Sequence, residues 1–496
     1  MEAQAMATSQ SSPVLERSPW SGRIFNGEWV VARGGSIEIK EPATGKVLGS
    51  TGLADAVDVS NAAKLAAQAQ PAWAATPVRE RCEVLYRAAA YLQRHGEELA
   101  AFIGRETGGI HGKAMRELSE AQAQLKTAAA LALQPDGVTL PSTPGRLNIA
   151  RRVPLGVVGV IAPFNFPLIL SMRSVAPALA VGNAVVLKPD PQTPVTGGVI
   201  LALALAEAGL PKGVLQVVPG DAEVGEALCV DPNVQMICLT GSTATGRRVG
   251  ELAGKHLKKV ALELGGKNSL IVLEDADLEL AAKNVAWGAY LHQGQICMAT
   301  GRVLVHEKIA DALVSRLVAK ANYLPVGDPA TGNVALGPLI SERQRDRVHA
   351  IVTQAVAEGA QLKAGGKYDG LFYQATVLTG VRPSMRAFRE EVFGPVANIT
   401  TFSTDEEAIA LANDTEYGLA AGVLSASIGR AMAIADRLKV GIVHVNDQTV
   451  NDEVINPFGG TGASGNHTSM GGPADLSEYT QWRWMTVKDA APPYPF

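Results

Sequence analysis

Aromatic side chains make up only 5% of the 496 residues, which leaves Ala, Val, Leu and Ile to build the interior. Side chains of that kind suit helices packed on parallel strands. Cysteine is scarcer still. The four cysteines, Cys82, Cys229, Cys238 and Cys297, have no ligand-like spacing, which argues against a zinc or iron-sulfur site and predicts free thiols in a reducing compartment. The eight histidines form no paired arrangement, so a Cys-His protease dyad has little support.

Neither sign of charge dominates. Lys and Arg number 44 against 48 Asp and Glu, a net charge of −4 with no basic stripe, which speaks against a nucleic-acid partner. No apolar run reaches membrane-spanning length; the stretch near 199–208 ends at Glu207 and Gly209. Residues 1–22 are rich in Ser, Ala and Pro, lack the basic start and apolar run of a signal peptide, and read as a flexible tail. The expectation is a soluble, cytoplasmic protein.

What the chain does have is length and apolar content. At 496 residues and 47% hydrophobic it exceeds one ordinary core and predicts two or three domains. From Asp55 to Leu133 the pattern is helical and Ala-rich, with an amphipathic run through Val84, Leu85, Ala88, Tyr91, Leu92 and Leu99. Short apolar strands then alternate with helical stretches: Val157 to Ile161, Ala184 to Leu187, Val214 to Val218, Met236 to Thr240 and Lys259 to Leu262. This alternation predicts a doubly wound parallel sheet, an α/β fold.

A second alternating run extends from Ser269 to about Val445, with strands at Val303 to Val305, Val396 to Thr401, Ala421 to Leu424 and Ile442 to Val445. A last strand is expected within Tyr479 to Lys488, beyond a Gly-rich stretch at 459–472. It fits pairing with another subunit and an intrachain edge equally well.

Ligands of doubly wound sheets bind at the carboxyl ends of the strands, so the turns there carry the candidates. Gly241-Ser242-Thr243-Ala244-Thr245-Gly246 follows a strand and opens a helix. It reads either as a phosphate cradle or as a plain helix cap, since it matches neither the dinucleotide G-x-G-x-x-G pattern nor a P-loop. Lys188 leaves a strand end with prolines behind it and suits ribose hydroxyls or a phosphate, or is a lysine without a partner. Asn165 lies in a proline-bounded turn, where its amide suits either an oxyanion or the turn itself.

Glu263 opens Glu-Leu-Gly-Gly-Lys, and Cys297 closes Gly-Gln-Ile-Cys. Together they suggest a base and a nucleophile, although a lone Cys in an apolar stretch also reads as an inert core residue. Glu390 and Glu391 stand beside a turn at Phe393-Gly394-Pro395 and read equally as a solvated acidic pair.

The ordered series PFNFP at 163–167, KPD at 188–190, TGST at 240–243, LELGGK at 262–267, GQIC at 294–297, EEVFGPV at 390–396 and PFGG at 457–460 resembles the aldehyde dehydrogenase superfamily over nearly the whole chain. The run LHQGQICMATGR at 291–302 most resembles its bacterial benzaldehyde and vanillin dehydrogenase group. The resemblance implies a doubly wound cofactor domain (23–140 and 158–264), a second α/β catalytic domain (265–456) and a small β oligomerisation extension (141–157 and 474–496). A homodimer or homotetramer follows.

It implies Cys297 as nucleophile, Asn165 with the Cys297 backbone N-H as oxyanion holder, and Glu263 as the base that hydrolyses a thioester. Lys188, Gly220, Gly241, Ser242, Leu264, Glu391 and Phe393 would bind NAD or NADP. Beside these motifs, Phe166, Ile169, Met172, Ile296, Met298 and Phe458 form an apolar substrate pocket suited to an aromatic aldehyde, and no metal is expected. A semialdehyde or aliphatic aldehyde dehydrogenase is the rival, with Arg173 as the one cation for a substrate carboxylate; a catalytically silent binding protein is the other.

Two positions depart from the family's pattern. Pro191 stands where NAD-preferring members commonly carry Glu, so both coenzymes are expected to be used. Gly462 stands where many members have Lys.

Overall fold

The computed structural model describes residue 15 and residues 19–496. Most of the expected tail at 1–22 lies outside the described residues. Packed structure nonetheless starts before residue 23, since Trp20 is buried and its ring lies under Gly49.

The helical stretch resolves into four helices, Ala56–Ala75, Val78–Arg94, Gly96–Thr107 and His111–Ala132. Asp55 caps the first through a reciprocal box with Asp58. Each buries an Ala- and Leu-rich stripe in the core of the cofactor sheet.

That sheet has seven strands, in the order Lys259–Glu263, Val234–Thr240, Val157–Ile161, Ala184–Lys188, Leu215–Val217, Arg23–Phe25, Trp29–Val31. The first five are parallel, and Arg23–Phe25 joins antiparallel at one edge. Val157–Ile161 and Ala184–Lys188 are buried along their whole length, as strands covered on both faces must be.

The second sheet also has seven strands, ordered Gln361–Ala364, Thr376–Thr379, Val396–Phe402, Thr300–His306, Asn268–Val272, Ala420–Leu424, Ile442–Val445. All but Gln361–Ala364 run parallel. Two hydrophobic clusters pack its two faces.

The terminal strand Thr480–Val487 pairs antiparallel with Leu147–Pro154, which pairs with Gly137–Leu140. The intrachain alternative therefore holds. Gly137–Leu140 belongs to this small sheet rather than to the cofactor unit, where its sequence had placed it. Trp482, Trp484, Met485 and Val487 leave its surface apolar and exposed.

The Gly-rich segment folds back onto the end of the cofactor sheet: Leu264 N-H donates to the Ser464 carbonyl at 2.9 Å, and Glu263 bridges to Gly465. Gly462 in this segment has φ +60, and a Cβ there would lie 2.5 Å from the Glu416 carbonyl oxygen. With this backbone a side chain at 462 would be strained and would crowd the Glu416 carbonyl, so the local conformation suits the glycine found there.

Candidate active site

The chain leaves Val157–Ile161 in one direction toward 184–188 and 215–217, and returns on its other side through 234–240 and 259–263. The reversal places a crevice between the carboxyl ends of Val157–Ile161 and Val234–Thr240. Pro163, Phe164 and Asn165 follow the first strand, and Gly241 and Ser242 the second. All five line one cleft of about 1070 Å³ of empty space, counting its open side, together with Leu264, Cys297, Glu391 and Phe393.

The catalytic sheet supplies the opposite wall. The Glu391-Phe393 loop is held from the helix Glu342–Ala357: Arg347 donates to the Glu391 carbonyl at 2.7 Å, and Gln344 to that of Phe393 at 2.8 Å. The Phe393 ring meets Phe164 edge-on across the cleft, with ring centroids 5.8 Å apart.

The turn carrying Cys297 is unusual in its backbone. His292 and Gln293 take left-handed conformations, with φ of 48 and 55, and Gly294 follows at φ 67 against the Gly394 carbonyl. Strain of this kind persists only where surroundings fix it. Gln293 Nε2 donates to the carbonyls of Gly108 (2.8 Å) and Pro338 (3.0 Å), and Gln295 Oε1 accepts from Ile340 N-H at 3.1 Å. Asn268 Nδ2 donates to the Cys297 and Ala299 carbonyls at 2.8 and 2.9 Å. The thiol thus sits on an over-determined turn, partly exposed to the cleft.

Asn165 reaches this turn from the cofactor side, where its Nδ2 donates to the Gln295 carbonyl at 2.9 Å. Its loop runs straight into the helix Pro167–Ala180, whose first residues have no local side-chain cap. Glu117, from a neighbouring helix, accepts from Leu168 N-H at 3.0 Å and caps the helix instead. Glu117 is paired with Lys113, both fully buried, and the Lys113 ammonium lies 4.8 Å from the Phe166 ring centroid. A buried ion pair therefore anchors the segment that presents Asn165.

A second cavity, of about 590 Å³ of empty space, opens on the other side of Cys297 and Asn165. Phe166, Ile169, Ile296, Met298 and Phe458 line it as expected, joined by Leu170, Leu291 and Val450. Met172 does not: it is fully buried in the cofactor-domain core. Positions 166, 169, 170 and 173 share the cavity face of the helix, and 172 falls outside it, turned into the core.

Burial dominates the site's electrostatics. The Cys297 thiol is pushed up to about 12, with Glu391 adding repulsion and the Arg173 guanidinium opposing it. Glu391 is pushed up to about 7 by burial, although it accepts Gly266 N-H at 3.0 Å. Glu263 stands well above the ordinary carboxyl range for the same reason, and neither of its oxygens finds a hydrogen-bond donor among the described residues.

Besides Met172, three expected site residues lie outside both cavity linings. Glu263 is at the end of its strand, 2% exposed. Lys188 ends the strand Ala184–Lys188, with its ammonium 3.4 Å from the Pro189 carbonyl. Gly220 lies so close to Val224 that a Cβ would meet it at 2.4 Å, a packing reason for glycine there. Conversely Arg343, Gln344, Arg347, Arg116, Glu120 and Asp452 line the cavities without having been legible in the sequence. They sit outside the motif runs, and only the fold brings them in.

The cleft fits a dinucleotide. Apolar walls at Leu264, Phe164 and Phe393 flank a slot that ends at the N-terminus of the helix Thr243–Lys255, where Ser242 caps Thr245 N-H. Two α/β units facing a cysteine across such a slot define a thiol-dependent oxidoreductase.

The aldehyde dehydrogenase family model matches residues 29–485, and the chain belongs to that family. A vanillin dehydrogenase from an Amycolatopsis species is 54% identical over 97% of this chain and 99% of its own. An NAD(+) benzaldehyde dehydrogenase of Pseudomonas putida is 51% identical over 97% and 99%. The crystal structure of an NAD-dependent aldehyde dehydrogenase from Sinorhizobium meliloti superposes with a TM-score of 0.92 at 36% identity, covering 98% of this chain and 99% of that one.

Proposed function

We propose that this aldehyde dehydrogenase oxidises an aromatic aldehyde to its carboxylic acid, with NAD or NADP as oxidant. The observation that carries this reading is the cavity beside Cys297, walled by Phe166, Ile169, Leu170, Ile296, Met298, Val450 and Phe458. Such a lining suits a flat ring. The names of the two curated relatives support the same substrate class.

In this reading the Cys297 thiol gives up its proton to solvent in the open cleft, its Sγ attacks the carbonyl carbon as the thiolate, and the carbonyl oxygen takes the charge. One Asn165 amide hydrogen is used on the Gln295 carbonyl, which leaves the other for that oxygen. The Cys297 N-H finds no acceptor among the described residues and is the second donor. When bound, the oxidised nicotinamide supplies the hydride acceptor and a positive ring near a thiol that is otherwise protonated. Loss of hydride from the tetrahedral carbon leaves a thioester on Cys297.

Glu263 then takes a proton from water, whose oxygen attacks the thioester, and the acid departs as Cys297 is restored. Only the ionised carboxylate can do this, and burial, which raises its affinity for the proton, makes it a stronger base than an ordinary carboxylate. Lys188, Gly220, Gly241, Ser242, Leu264, Glu391 and Phe393 would hold the coenzyme. The same residues weigh against a catalytically silent binding protein.

The semialdehyde alternative needs a free cation, and Arg173 is already paired with Asp452. The exposed apolar sheet at Thr480–Val487 and Leu147–Pro154 supports assembly into a dimer or tetramer. Four unpaired cysteines support a cytoplasmic setting. No helix among the described residues is long and apolar enough to cross a membrane. An aldehyde panel of substituted benzaldehydes, aliphatic aldehydes and succinic semialdehyde, followed at the NADH absorbance with each coenzyme, tests the reading. Faster turnover of aliphatic aldehydes than of every benzaldehyde would overturn it.

A further inference from the structure

Arg173 projects into the substrate cavity from the helix Pro167–Ala180, one turn beyond Ile169 and Leu170 on the same face. Its side chain is only 8% exposed. The guanidinium carbon lies 4.4 Å from the Phe458 ring centroid, so the cation is stacked on an aromatic wall. Its Nη2 pairs with the Asp452 carboxylate. Asp452 comes from a different part of the chain, beyond the strand Ile442–Val445, and is likewise a cavity residue. Arg116, also at the cavity, donates to the Asp452 backbone carbonyl at 3.5 Å.

A guanidinium has five N-H donors in a planar fork that matches a carboxylate. Here one of them is taken, by a carboxylate that belongs to the protein. A buried guanidinium left without its partner is costly, and any carboxylate that reaches it restores the pair. Behind the pair the space continues into a smaller cavity lined by Arg173, Asp452, Gln124 and Asn456, with the carboxylates Glu453 and Asp475 also on its wall. Arg173 and Asp452 thus border both cavities, and the guanidinium that could receive a substrate's acid group already holds an internal anion.

We propose that Arg173 forms a latent carboxylate subsite and that Asp452 is the specificity-determining residue that closes it. With Asp452 ionised, the cavity presents a neutral pair, accepts an uncharged ring, and repels an acid-bearing aldehyde. With that charge removed, the cavity accepts aldehydes carrying a carboxylate. The inference rests on the reading of this cavity as the aldehyde site.

The experiment compares wild type with Asp452→Asn, which keeps the side-chain volume and removes the charge. Each is assayed for kcat/KM with benzaldehyde, 3-carboxybenzaldehyde, 4-carboxybenzaldehyde and succinic semialdehyde. The expected result is a rise of at least about tenfold, equivalent to about 1.4 kcal/mol, in the ratio of one acid-bearing aldehyde to benzaldehyde. The double variant Arg173→Met with Asp452→Asn should lose that gain. Asp452→Ser, read in the same way, covers a folding failure of the Asn variant.

No rise for any acid-bearing aldehyde, in variants that still oxidise benzaldehyde, overturns the inference. A rise that survives in the double variant also overturns it, because Arg173 would not be the receptor. Failure of wild type to oxidise benzaldehyde at all would instead remove the underlying reading of the cavity.

Discussion

Asn165 and Gln295 are joined across the cleft by a 2.9 Å hydrogen bond from the Asn165 amide to the Gln295 carbonyl, two residues before Cys297. The bond fixes where the amide stands relative to the thiol and leaves one amide hydrogen directed elsewhere. The same side chain thus ties the cleft together and has a donor to spare.

Truncation at Asn165 removes both. Asn165→Ala should lower kcat by about 10²- to 10³-fold, the typical loss of one oxyanion donor, while KM changes little. Steady-state kinetics with benzaldehyde check this. A loss confined to KM would show that the amide contributes to binding rather than to the charged tetrahedral state.

Thiol chemistry gives a second check. Cys82, Cys229 and Cys238 are buried, whereas Cys297 is partly exposed to the cleft. Iodoacetamide should therefore modify Cys297 first. Burial and Glu391 push its thiol up to about 12, so in the free enzyme the rate should keep rising from about pH 7 to about pH 10 without a plateau. Peptide mapping over that range decides it; saturation near neutrality would mean a stabilised thiolate in the resting enzyme.

Glu263 links catalysis to stability. Burial holds its folded-state pKa well above 4.5, whereas the unfolded chain ionises near that value. Above the unfolded value unfolding therefore releases a proton, and stability declines by about 1.4 kcal/mol per pH unit until the folded-state pKa is passed. The neutral variant Glu263→Gln is free of this decline, so its melting temperature should gain on that of wild type as the pH is raised from about 5. Thermal melts that stay parallel as the pH rises would contradict a buried, protonated carboxyl.

Coenzyme choice follows from what stands near Lys188. Pro191 leaves no carboxylate at the position where many relatives place one, and Asp190 is engaged by Gln192 N-H at 2.9 Å within its own turn. NADP should be accepted as well as NAD. An NAD preference above about a thousandfold in kcat/KM, some 4 kcal/mol, would contradict it.

Strands buried on both faces were legible because they read as unbroken apolar runs, Val157–Ile161 and Ala184–Lys188 being examples. Arg23–Phe25 and Trp29–Val31 were not, because they are short and only partly buried and stand outside the strand-helix alternation that made the equally short Leu215–Val217 legible. Within the site, motif residues such as Gly241, Glu391 and Cys297 could be found from their turns. Met172 was misplaced because proximity to a motif says nothing of helix phase, and phase turned it into the core. Arg347 and Asp452 carry no local signature at all. The Arg347 contact to the Glu391 loop and the Asp452 contact to Arg173 exist only once distant segments have packed.

The most direct measurement takes Glu263→Gln, mixes it rapidly with NAD and excess benzaldehyde, and follows NADH formation and the mass of the protein together. The account predicts a burst of about one NADH per active site, then turnover slowed by about 10²- to 10⁴-fold, with a benzoyl group on the peptide containing Cys297. Steady turnover without a burst, or a burst with no acyl group on Cys297, would contradict it.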